Sequence, residues 1–141
     1  MAIATPESYA DMLDRAKAGK YAIPAINVTS SQTLSAALKG FADAESDGIV
    51  QISNGGAAYW SGSSRLDRVA GSLAFAGYAR AVGDLYPGIV GLHTDHCPKK
   101  FLDCWIHPLL EIEAERVKRG ELPVFQSHMW DGSAESLDDN I

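Results

Sequence analysis

"GIVGLHTDHCPKK", Gly88 to Lys100, runs from an apolar start into two histidines, an aspartate, a cysteine and two lysines. Gly88 to His96 reads as a short buried strand, and its ionisable groups crowd at the C-terminal end. Where parallel strands alternate with helices, that end of the sheet is where ligands bind and chemistry happens. The fold therefore turns on whether the flanking sequence supplies such an alternation.

It does. "YAIPAINV" (Tyr21 to Val28) reads as a strand, although Pro24 argues against a regular central ladder. "GIVQIS" (Gly48 to Ser53) is a second strand, ending in the turn "NGG", and "PVFQSHM" (Pro123 to Met129) is a fourth. Between them lie helices. Thr5 and Pro6 open one with Tyr9, Met12, Leu13 and Ala16 on a single face and Gly19 at its stop. Thr29 to Gln32 has capping-box spacing, followed by the stripe Leu34, Ala37, Leu38, Phe41 and Ala42. Further helices span Leu66 to Tyr86, bounded by Pro87, and His107 to Arg119, with Pro108 near the start and Gly120 after the end. In "SAESLDDNI" the spacing of Ser136 and Asp139 predicts the beginning of another.

Apolar strands separated by amphipathic helices predict an α/β fold with a parallel sheet covered on its faces. No GxGxxG follows the first strand, which disfavours a dinucleotide-binding fold. Polar residues close every strand: Asn27, Ser53, Asp95 with His96, then Ser127, His128 and Asp131. A (β/α)8 TIM barrel gathers its active site at that end and takes about 250 residues. The 141-residue chain supplies about four βα units. Residues 1–141 are thus expected to form one partial, incomplete TIM-barrel domain, the N-terminal half.

Composition narrows the function. A content of 46% hydrophobic and 21% charged residues fits a soluble globular protein, and no apolar stretch approaches membrane-spanning length. The first residues lack the basic and apolar regions of a secretion signal. Two cysteines, Cys97 and Cys104, make no disulfide framework, which together predicts a cytoplasmic protein with free thiols. A net charge of −6 argues against a nucleic-acid surface but leaves room for a small anionic substrate.

On a regular strand His93 and Asp95 share one side and His96 takes the other. Asp95 and His96 meet only if the strand ends and turns there, and Pro98 favours that. An imidazole suits Zn²⁺, and a carboxylate beside it suits proton transfer. The plain alternative is a polar strand end facing water. A rival takes His93 and Asp95 as two legs of an iron-binding 2-His-1-carboxylate site, against which the βα rhythm speaks. Taken singly, His128 reads as packed, His107 as a surface residue, Asp131-Gly132 as a turn, and Lys99 with Lys100 as a solvated pair.

Together, "PAINVTSSQT", "DGIVQISNGGAAY", "LHTDHCPKK" and "FQSHMWDGSAESLDDNI" resemble the N-terminal part of class II (zinc-dependent) fructose-bisphosphate aldolase over essentially the whole chain. No residue role is carried over for the Trp60 to Arg65 loop. The resemblance implies that His96 is one of three histidines holding a catalytic Zn²⁺ that polarises the ketose carbonyl. It implies that Asp95 transfers the proton at the C4 hydroxyl, and that Ser53 and Asn27 line the substrate pocket. It also implies that Asp131 belongs to a second, non-catalytic or vacated metal position. The implied partners are sugar phosphates in glycolysis or gluconeogenesis, with a homo-oligomer in the full-length form and no nucleic acid or membrane. The other zinc histidines, the glutamate base and the phosphate loop of the pattern fall after residue 141, so the chain alone is expected to be inactive. A tagatose-bisphosphate aldolase, and a non-enzymatic half-barrel that self-associates, stand as the alternatives.

Overall fold

The structure, a computed structural model, describes residues 2–62 and 64–141. Ser63, in the loop to which the sequence assigns no role, lies outside them. Five parallel strands form one sheet: β1 (Ala2–Ile3), β2 (Ala25–Asn27), β3 (Gly48–Ser53), β4 (Ile89–Pro98) and β5 (Ser127–Asp131). From β2 to β5 the spatial order follows the chain order. The helices between them are α1 (Pro6–Gly19), α2 (Ser31–Asp43), α3 (Asn54–Trp60), α4 (Arg68–Gly83) and α5 (His107–Lys118). The expected α/β alternation is present.

One face of the sheet carries the main core. Val50, Ile52, Val90 and Leu92 point to it and are fully buried against Leu34, Leu38, Phe41, Phe75 and Leu109 from the helices. The other face carries Asn27, Gln51, Ser53, His93 and Asp95, aligned by the parallel register Asn27–Gln51–His93 and Ser53–Asp95. Tyr9 of α1 packs on this second face. Its ring lies where a Cβ at Gly91 would be, and its hydroxyl is 3.0 Å from Ser127 Oγ.

Several local expectations need correction, each with a physical reason. The "NGG" segment is not a turn but the first part of α3, because Ser53 Oγ accepts from Gly56 N and caps a helix. The capping box of α2 runs from Ser30 to Thr33, one residue beyond the Thr29–Gln32 frame, because Thr33 can return a hydroxyl bond to the Ser30 amide. On α1 the left-handed stop falls at Lys20 rather than Gly19, and Leu13 is 43% exposed. The fourth main strand begins at Ser127, not Pro123. Upstream of it the backbone bonds to side chains: Arg80 donates to the carbonyls of Pro123 and Val124, and Phe125 N donates to Glu113. β1 has two residues, too few for any periodicity to announce it. At the far end Ser136 Oγ accepts from Asp139 N, as its spacing predicts, and the turn it caps is 3₁₀ (Asp138–Asn140).

Candidate active site

The strand bearing "LHTDH" does not end at His96. β4 continues to Pro98, which pairs with Asp131, but its register against β5 shifts between Thr94 and Cys97. His96 sits in that shift with φ 52°, in the left-handed region. A left-handed residue rotates the following side chains off the strict alternation. Asp95 and His96 therefore reach one site through this irregularity, and Pro98 does not end the strand.

Four expected residues form a continuous chain across the strand ends. Asn27 Nδ2 donates to Asp95 Oδ2 at 2.8 Å. Asp95 Oδ1 lies 3.7 Å from His96 Nε2, and His96 Nδ1 is 2.9 Å from Asp131 Oδ2. Asp131 Oδ1 accepts from Ser133 N. Asp95 is buried, whereas the His96 ring is largely exposed. The electrostatics follow from these contacts. Bonds from Ser133 and then His96 hold the Asp131 carboxyl down to about 2. The Asp131 bond, helped by the Asp95 charge, raises His96 above its ordinary 6.5.

Ser53 stands apart from that chain. It is the register partner of Asp95, but its hydroxyl caps α3. A cavity of about 440 Å³ lined by Thr29, Ser30, Gly55, Gly56 and Tyr59 opens beside that helix. Asn27, Ser53 and Asp95 bring polar groups to the ends of three adjacent strands, and none of the three lines that cavity.

The remaining histidines take other parts. His93 Nδ1 is 2.8 Å from Ser127 Oγ, so Tyr9, Ser127 and His93 form a second polar line on the same sheet face. Burial pushes His93 below 6.5, with the Asp95 charge opposing. His128 lies between Thr94 Oγ1 and Glu113, on the helix side, as a packed residue. His107 pairs with exposed Asp103. The Tyr9–Ser127 and Glu113–His128 contacts had no sequence signal, since the partners are 118 and 15 residues apart.

A metal would find one suitable nitrogen here. With Nδ1 facing a carboxylate, His96 Nε2 is the free donor, and it opens toward Asp95. Among the described residues no three His, Cys, Asp or Glu side chains converge as a cage. The donor set fits a divalent cation as one ligand of a larger set.

Residues 7–141 match the family described as "Fructose-bisphosphate aldolase class-II". Relatives named fructose-bisphosphate aldolase include one from Streptomyces coelicolor, 63% identical over the whole chain and 41% of its own length. Another, from Corynebacterium glutamicum, is 59% identical with the same coverage. A crystal structure of fructose-bisphosphate aldolase from Campylobacter jejuni superposes with a TM-score of 0.88 at 35% identity, covering 99% of this chain and 40% of that one. The chain spans about 41% of the length of these curated relatives, and its fold is part of a TIM-barrel-like aldolase fold. The match of family, sequence and fold along nearly every residue makes this chain a member of the class II fructose-bisphosphate aldolase family.

Proposed function

We propose that the protein takes part in the reversible cleavage of fructose 1,6-bisphosphate to dihydroxyacetone phosphate and glyceraldehyde 3-phosphate. The observation that carries the reading is a buried carboxylate, Asp95, held by Asn27 beside His96 at the strand ends. In cleavage Asp95 takes the proton of the C4 hydroxyl. The C4–O bond becomes the aldehyde carbonyl, and the C3–C4 bonding pair passes to C3 and into the C2 carbonyl. A proton delivered to C3 by a second acid, the glutamate that the family resemblance places after residue 141, completes dihydroxyacetone phosphate. A divalent metal, zinc on the family resemblance, supplies the Lewis acid that polarises the C2 carbonyl. His96 would provide one of its ligands, and on the resemblance Asp131 would belong to a second, non-catalytic or vacated metal position.

Asn27 fixes the orientation of Asp95 and, with Ser53, would line the substrate pocket on the family resemblance. The relatives' names favour the fructose substrate over its tagatose epimer. Cytoplasmic location and homo-oligomerisation belong to the same reading, supported by the family and by two unpaired cysteines. In this reading residues 1–141 are the N-terminal part of the catalytic barrel domain.

The test uses protein expressed from its complete reading frame. Asp95→Ala should lower kcat about 10²–10⁴-fold with a smaller change in KM, since general acid/base groups contribute on that scale. Turnover within a few-fold of the parent would send the proton by another route. Chelation should remove activity and zinc restore it.

A further inference from the structure

We propose that Asp131 is a positioning residue for His96, accepting the Nδ1–H bond so that the Nε2 lone pair is presented to the metal. The proposal rests on the reading that His96 is a metal ligand. A neutral imidazole carries one N–H, and an ionised carboxylate can only accept. With Asp131 Oδ2 at 2.9 Å from Nδ1, the proton belongs on Nδ1 and the acceptor pair on Nε2. Nε2 is the nitrogen facing Asp95, so the free donor and the proton-transfer carboxylate lie on the same side of the ring.

His96 needs such a partner. Its φ of 52° and the register shift around it leave the ring without the alignment a regular ladder provides. Asp131 can supply that alignment because its own position is fixed from three sides. Its Cα pairs with Pro98 across the sheet. Its other oxygen accepts from Ser133 N at 3.1 Å. Asn140 ties the adjoining backbone down, donating to Gly132 O at 3.0 Å and accepting from Trp130 Nε1 at 3.1 Å. Each Asp131 oxygen thus already accepts one bond. Toward the catalytic metal, whatever its part at the second position, the carboxylate acts through the imidazole, in the carboxylate–histidine–metal arrangement whose loss costs about 10–100-fold in metal affinity.

The experiment is zinc affinity by chelator competition on protein from the complete reading frame, with thermal melts to verify folding. Asp131→Ala should bind zinc about 10–100-fold more weakly. Asp131→Asn should do no better despite its shape, because the amide can donate to Nδ1 and favour the tautomer that blocks Nε2. Nitrogen NMR of metal-free parent protein at alkaline pH decides independently of any variant: the proton on Nδ1 supports the assignment, and on Nε2 overturns it. His96→Ala separates the two levels. If it keeps zinc, the functional reading fails. If it loses zinc while both Asp131 variants bind like the parent, only the positioning role fails. Loss of a second zinc equivalent from the Asp131 variants, with the His96 equivalent untouched, also overturns it.

Discussion

His96 adopts a backbone conformation that favours glycine. A non-glycine residue pays about 1–2 kcal/mol in the left-handed region. That strain sits where it brings Asp95 and His96 together, and no strand pattern in the sequence could announce it, because "HTDH" reads as uninterrupted alternation. His96→Gly and His96→Ala both delete the imidazole and its bond to Asp131, so their difference isolates the backbone. The glycine variant should be the more stable by about 1 kcal/mol in denaturant titrations. Equal stability would mean that the conformation is not strained. His93 gives a second test. Burial lowers its folded pKa below 6.5, so the unfolded chain binds more protons just under that value. Stability is then fully present above pH 6.5 and declines as pH falls toward the folded pKa. His93→Gln should flatten this part of the stability–pH curve, and an unchanged slope would place the titration elsewhere.

At the scale of elements, periodicity exposed what repeats and missed what depends on one contact. The α2 stripe Leu34, Leu38 and Phe41 is buried as spaced, and β3 runs from Gly48 to Ser53 as read. Pro123 to Gln126 looks equally strand-like, yet Arg80 and Glu113 take up backbone groups there from other elements. Such substitutions depend on distant partners and leave no local signature. The residues proposed for the site stand out in the sequence because polar groups cluster at strand ends; the hydrogen bonds that link them do not. Helix α4 offers a test of contact against propensity. A Cβ at Gly71 would run into the Ala57 carbonyl of α3, whereas one at Gly77 meets nothing within 4 Å. Gly71→Ala should therefore destabilise by about 3 kcal/mol through overpacking. Gly77→Ala should stabilise by about 0.5–1 kcal/mol through helix propensity. Matching signs in urea titrations would show that α3 and α4 do not touch as described.

For the whole molecule the question is what the 141 residues do when expressed by themselves. The sheet's second face is only partly covered: Tyr9 and its helix shield the lower part, while Ala25 and Asn27 are exposed and Ile49 and Gln51 half-buried. Among the described residues β2 pairs only with β3, so its other edge is open there, and Ile26 on it is 42% exposed. An unpaired edge beside an uncovered face favours pairing with another copy. The helix-side core is intact, with Phe75, Trp105 and Leu109 fully buried, so secondary structure should persist in circular dichroism. A catalytic zinc normally needs three protein ligands, and His96 with its neighbouring carboxylates forms no three-residue cage among the described residues. Residues 1–141 expressed alone should therefore self-associate, retain no stoichiometric zinc and fail to cleave fructose 1,6-bisphosphate. Ile26→Lys should shift the light-scattering mass toward monomer, because a charge on an edge strand opposes pairing. A parent chain that stays monomeric, holds one zinc and turns over substrate would mean that the site closes within these residues, by a geometry different from these open strand ends.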